Sequence, residues 1–172
     1  MKIELFFAFI LLLSTKLSIA QEGYVSASIG IDGLTCSACS YGTEKSLKKL
    51  DFVKEIKMDL NTKTAEIKFI PGKKVSVEAL AQKVIDAGFS VRFIKVSFIF
   101  KDTSVKENSE YTYDADVFHF IKTETKQLKR NHTLQFLGKK YLSAEEYKKW
   151  KSLIPETKKE EGKKIYYVTL IS

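Results

Sequence analysis

Two cysteines, two histidines and two prolines are all that 172 residues hold of these types. A four-coordinate structural zinc centre needs four nitrogen or sulfur ligands, and Cys36 and Cys39 would leave two places unfilled. His119 and His132 lie too far away in sequence to be assigned to that site, and lone histidines of this kind are usually surface or strand-packing residues. No Ser–His–Asp spacing, no phosphate-cradling glycine loop and no carboxylate pair with a recognisable role is present, so no enzymatic activity is expected. Long apolar runs are also missing. The longest, Leu5 to Leu13, is too short to cross a bilayer as a stable helix.

That short run has another use. Lys2 gives a positive start, Leu5 to Leu13 an apolar centre, and Ser18-Ile19-Ala20 the small residues a signal peptidase reads. Residues 1–20 are therefore expected to be a signal peptide, cleaved near Ala20 to leave Gln21 first in a secreted or periplasmic protein. No cysteine stands at the end of the apolar run or at the expected cleavage site, which argues against a lipid anchor there. The chain carries 29 Lys plus Arg against 21 Asp plus Glu, and it stays basic once Lys2, Lys16 and Glu4 leave with the leader. Such charge favours acidic protein surfaces or contact with anionic lipid headgroups at a membrane periphery. The lysines are scattered in pairs, such as Lys48-Lys49 and Lys139-Lys140, and with export this argues against a nucleic-acid partner.

From Tyr24 to about Val96 the hydrophobic pattern runs strand, helix, strand, strand, helix, strand, the ferredoxin-like βαββαβ order. Val25, Ala27, Ile29 and Ile31 alternate as one buried face of the first strand. A helix is expected from Ser37 to Leu50 on the spacing of Thr43, Leu47 and Leu50. A hairpin joins Val53–Leu60 to Lys63–Ile70 through Asn61-Thr62, with Asn able to take a positive φ. A second helix starts at an N-cap Ser76, buries Val77, Leu80, Val84 and Ala87, and stops at Gly88. Phe89 to Val96 closes the unit. Residues 97–172 read as a small β-rich domain, with strands at 111–121, 133–142 and 164–171 and one helix from Ser143 to Leu153, opened by a Ser143/Glu146 capping box. Polar loops are expected at 102–110 and 156–163. The fold class is α+β, with a ferredoxin-like domain over 21–96 and the β-rich one after it.

Cys36 and Cys39 sit between the first strand and the first helix, so the second thiol falls in or near the first helical turn. Unpaired N–H groups and the positive dipole end favour thiolate there. Two soft sulfur ligands with no nearby His, Asp or Glu suit a low-coordinate soft ion such as Cu(I).

The segment Gly33-Leu34-Thr35-Cys36-Ser37-Ala38-Cys39 resembles the Gly-Met-Thr-Cys-x-x-Cys loop of the heavy-metal-associated domain, a family of copper chaperones, copper-ATPase N-terminal domains and periplasmic mercury-binding proteins. The similarity continues through Ser46-Leu47-Lys48-Lys49-Leu50, Val53 and Val84-Ile85-Asp86-Ala87-Gly88-Phe89, covering about Val25 to Val96. It implies that Cys36 and Cys39 hold Cu(I) or Hg(II) nearly linearly on an exposed loop, with Phe89 beside it. Leu34 replaces the family's Met, and as an apolar isostere it should keep a core-facing role at a cost below roughly 1.5 kcal/mol. Thr43 and Ser46 stand where larger or more apolar residues are common, which predicts looser packing beneath the loop. The family has no counterpart to residues 97–172.

These features give an exported soft-metal binder that carries or sequesters Cu(I) and exchanges it with a metal-donating or metal-accepting protein, Lys45 and Lys48 guiding an acidic docking surface. A mercury scavenger would use the same thiolates. A thiol–disulfide oxidoreductase is the alternative from another class, since Cys-x-x-Cys at a helix start is also a redox arrangement; Thr35 before Cys36, and Pro71 and Pro155 in loop contexts, depart from the thioredoxin pattern. A structural disulfide would close only a tiny loop and constrain the unfolded chain little. An adaptor presenting Tyr111, Tyr113, Phe118, Phe120, Tyr166 and Tyr167 is a fourth reading, though aromatics at alternating strand positions are more often core. A metal-bridged dimer through the exposed thiols stays open.

Overall fold

The computed structural model describes residues 21–155 and 162–171; the leader expected over 1–20 and most of the loop expected at 156–163 lie outside them. The first half is β1 (Gly23–Asp32), α1 (Ser37–Leu47), β2 (Val53–Asp59), β3 (Thr64–Phe69), α2 (Val77–Asp86) and β4 (Ser90–Val105). The sheet order β2-β3-β1-β4 is antiparallel throughout, which is the ferredoxin-like arrangement. Thr43 and Leu47 of α1 are buried, as are Val77, Leu80, Ala81 and Val84 of α2. The apolar ones join Ala27, Ile29, Ile31, Ile67, Ile94 and Val96 in one core, so both helices cover the same sheet face.

Val25 departs from its expected buried place and is exposed. The β1–β4 register runs Tyr24↔Phe98 and then Ser26↔Ser97, so Val25 is the extra residue of a bulge. A one-residue slip reverses which side chains face the core. Tyr24 therefore points inward, with its ring centroid 5.1 Å from that of Phe98. The β2–β3 turn also differs from expectation. Asp59 accepts from the backbone N–H groups of Asn61 (2.8 Å) and Thr62 (3.2 Å), and the positive φ, 52°, falls on Lys63 rather than Asn61. The Asp59 side chain supplies the turn's acceptor, so Asn61 has no need of the left-handed conformation. Ala87, expected in the α2 stripe, is the C-cap and only half-buried.

The final strand of the first half does not stop near Val96. β4 runs on to Val105, through the junction expected at 96/97 and into the stretch expected to be a polar loop at 102–110. Its far end pairs with β7 (Lys126–Leu137), and the single sheet continues as β4-β7-β8-β6-β5, with β5 at Glu110–Tyr113, β6 at Asp116–Phe120 and β8 at Lys164–Ile171. The strand expected at 111–121 is a tight hairpin, reversed at Asp114, whose φ is 53°. The strand expected at 133–142 starts earlier and ends at Leu137, followed by Gly138 at φ 145°. The third helix, α3 (Ala144–Trp150), opens on Ser143, whose hydroxyl accepts from the Glu146 N–H at 3.2 Å. The Glu146 carboxylate does not complete a capping box; it pairs with Lys149.

Alternation along β4 feeds two cores. Ile94, Val96, Phe98 and Phe100 extend the first core, meeting Phe118, Phe120, Phe136, Tyr166 and Val168. Phe93 faces the other side, where Ile121, Leu137, Leu142 and Tyr167 gather beneath Tyr147 and Trp150 of α3. Phe118, Phe120, Tyr166 and Tyr167 are buried and Tyr111 and Tyr113 half-buried, so these aromatics build the core rather than an adaptor surface. The sheet curls enough that Tyr24 on β1 meets Tyr113 and Phe118 edge to face, and its hydroxyl donates to Asp116 at 2.6 Å. Burial is the main cause holding the Asp116 carboxyl above its ordinary value, and burial likewise raises the Tyr24 phenol.

Candidate functional site

The loop between β1 and α1 is fixed from below. Gly33 adopts φ 87°, a left-handed turn that side chains resist. Leu34 then drops into the core and is fully buried, as expected for the residue replacing the family's Met. Its burial anchors the loop while Thr35, Cys36, Ser37 and Ala38 stay exposed.

Cys36 is the N-cap of α1, and its Sγ accepts from the Cys39 N–H at 3.1 Å. This is the place usually held by a Ser, Asp or Asn oxygen. A sulfur there receives one of the helix's unpaired N–H groups, and no acidic side chain stands in the first turn to offset the positive helix end. Both effects favour a thiolate once the pair is reduced. Cys39 is half-buried at the third helical position, so one sulfur is outermost and the other is backed by the core. The Cα atoms are 5.2 Å apart and the two sulfurs are joined as a disulfide. Reduction of that bond would leave two sulfur donors side by side. No group of three or more His, Cys, Asp or Glu side chains able to hold a metal ion occurs among the described residues. His119 lies on β6, with Nδ1 3.1 Å from Glu110, and His132 on β7 against the Phe100 ring.

Thr43 and Ser46 have roles that apolar periodicity does not reveal. The buried Thr43 hydroxyl donates to the Cys39 carbonyl at 2.9 Å, fixing the turn that carries the second sulfur. The Ser46 hydroxyl donates to the Lys83 carbonyl at 3.1 Å and ties α1 to α2. Small size with polarity at two helix–helix positions is the available signal, and here it means directed hydrogen bonds. Past α2, the Gly88 N–H bonds to the Ile85 carbonyl at 2.9 Å and the Phe89 N–H to the Val84 carbonyl at 3.2 Å, a Schellman cap with Gly88 at φ 87°. The cap aims the Phe89 ring at the loop, where it lies 3.4 Å from the point a Gly33 Cβ would occupy. Lys45 is exposed on α1; Lys48 is exposed and paired with Glu44.

Comparison with known proteins bears on the first half of the chain. Residues 28–90 match the model of the heavy-metal-associated domain. The chain is similar to copper-transporting ATPase 1 of Rhizobium meliloti, 34% identical over 85 residues that make up 47% of this chain and 10% of that protein. A copper-transporting ATPase of Helicobacter pylori is 50% identical over 42 residues, 24% of this chain and 6% of the other. The chain thus spans a tenth or less of these relatives. Among solved structures, oxidized MerP from Ralstonia metallidurans is 31% identical, with a TM-score of 0.35, covering 38% of this chain and 93% of that one. Residues 28–90 of this chain are a heavy-metal-associated domain, joined through one continuous sheet to a strand-rich C-terminal region that holds one helix among the described residues.

Proposed function

We propose that this is an exported protein that binds Cu(I) through Cys36 and Cys39 and passes it to, or takes it from, a partner's sulfur ligands without performing bond-making catalysis. The observation that carries the reading is the pair itself: two exposed-loop sulfurs set side by side, one of them at a helix N-cap, with Leu34 and Phe89 fixing the loop around them. Two thiolates and nothing harder suit a soft, low-coordinate ion. The relatives named as copper-transporting ATPases favour copper as the cargo over mercury. Transfer would proceed by stepwise exchange, an incoming thiolate joining the ion before one of Cys36 or Cys39 leaves. X-ray absorption at the copper edge of the reduced, loaded protein should report two sulfur ligands; nitrogen or oxygen ligation would contradict the site.

The disulfide favours a second reading, thiol–disulfide exchange, because the pair forms this bond within the native loop. Pro71 lines a cleft with Gln21–Val25 and Phe69 that includes neither cysteine, and Pro155 is exposed after α3, so neither gives this site the proline of the thioredoxin pattern. Turnover in a disulfide-reduction assay, abolished by Cys36→Ser, would favour the redox reading; its absence alongside Cu(I) binding would remove it.

A further inference from the structure

A groove of about 620 Å³ opens where the end of α2 and the start of β4 face residues 139–151. Its apolar lining includes Ile85, Val91, Leu142 and Tyr147, and Ile85 is 42% exposed, unusual for an isoleucine on an otherwise well-packed helix. Its basic lining is Lys139, Lys140, Lys148 and Lys151, against the single carboxylate of Asp32. Lys140 is held by Glu78 at 2.6 Å. No carboxylate of the described residues pairs with Lys139, Lys148 or Lys151.

We propose that this groove seats an acidic segment of the protein with which the chain exchanges metal. Three ammonium groups that no described carboxylate pairs repel one another around an apolar floor until carboxylates neutralise them, and a chain alternating acidic and apolar residues satisfies rim and floor together. The groove reaches Asp32 and Ser90, which face each other across β1 and β4 and directly adjoin Gly33 and Phe89 of the cysteine loop. A segment lying there would hold its parent protein beside Cys36. All four lysines come from the C-terminal region, which thereby gains a function: it supplies the charged wall and the ferredoxin-like half supplies the cargo site. Val91 and Leu142 in its lining are only 5% and 3% exposed, so they lie below the surface, where a polypeptide side chain reaches and a planar lipid surface does not. The identity of the occupant as a metal-exchange partner rests on the proposed function; its acidic, apolar chemistry rests on the groove alone.

The test uses fluorescence anisotropy of a labelled peptide of glutamates with leucine at every third position, titrated with metal-free protein carrying Cys36→Ser and Cys39→Ser. Charge reversal at Lys139, Lys148 and Lys151 should weaken binding by about tenfold or more, and neutral glutamine at the same positions should weaken it less, whereas Lys45→Glu/Lys48→Glu should change it by less than about threefold. Equal loss in the Lys45/Lys48 variant would place docking on α1 and overturn the proposal. So would absent peptide binding, including the case where the same lysines instead govern sedimentation with phosphatidylserine vesicles. Because this readout needs no metal, failure of Cu(I) binding would remove the proposed function and leave the groove's chemistry standing, and the converse holds equally.

Discussion

Phe98→Ala tests whether the two halves of the chain are one folding unit. Phe98 is fully buried midway along β4, and its ring meets Tyr24 at 5.1 Å, Tyr113 at 5.1 Å and Phe118 at 5.2 Å, all close to edge-on. Those partners lie on β1, β5 and β6, so the side chain joins the ferredoxin-like strands to the C-terminal ones. Removing a buried phenyl ring costs about 3–5 kcal/mol, and the loss of five aromatic pairs, those with Phe100 and Tyr111 included, at about 0.5–1.5 kcal/mol each argues for the upper part of that range. Against a total stability of about 5–15 kcal/mol this is a large fraction. At about 2–4 °C per kcal/mol for a chain of this size, the melting temperature should fall by roughly 8–20 °C. Urea unfolding followed in parallel by far-ultraviolet circular dichroism and by fluorescence of Trp150, the chain's one tryptophan, should give coincident transitions in the parent and a joint shift in the variant. A tryptophan transition that moves while the dichroism retains a separate, unshifted step would refute the single-unit reasoning.

Leu34→Met should leave stability within about 1.5 kcal/mol of the parent, whereas Leu34→Ala should cost about 2–5 kcal/mol, because only the second change opens a void under the loop; urea denaturation measures both. Asp116 has a folded pKa raised above 3.8 by burial, so over the interval between 3.8 and the folded value the native state holds the proton more tightly than the unfolded chain. Its contribution to stability therefore falls as pH rises through that window, and the parent should lose stability relative to Asp116→Asn as pH rises from 3.8 through the folded value. An unchanging difference between the two would show that the carboxyl is not perturbed. Mass spectrometry of the exported protein should find a chain beginning at Gln21; an intact N-terminus would contradict a cleaved leader.

Most of the ferredoxin-like half was legible because its signals are local. Alternation along β1 from Ala27 onward and along β3, the Ser76 N-cap and the Gly88 stop each depend on a few neighbouring residues, and the structure places them as read. Val25 was misread because a bulge is set by pairing with β4, and period-two counting along one strand cannot register it. The extent of β4 was hidden for a related reason: Lys101, Asp102 and Ser104 look like loop residues, yet they occupy a strand whose far end is completed by β7. The cysteine pair was visible from spacing, but the bonds that set it, Thr43 to Cys39 and Ser46 to Lys83, are polar contacts at helix positions where hydrophobic periodicity carries no information. The lysines of the groove all fall between 139 and 151, but nothing in that stretch tells that it crosses to α2, where Lys140 meets Glu78 and the groove forms.

Whether Cys36 and Cys39 form a Cu(I) site is decided by anaerobic titration of the fully reduced protein with Cu(I) against a competing chelator, beside the Cys36→Ser/Cys39→Ser double variant and the untreated disulfide form. One ion per chain should be taken up tightly, with uptake lost in the double variant and absent until the disulfide is reduced. Uptake no greater than that of the double variant would contradict a Cu(I) site and leave thiol–disulfide exchange as the better reading of the same two residues.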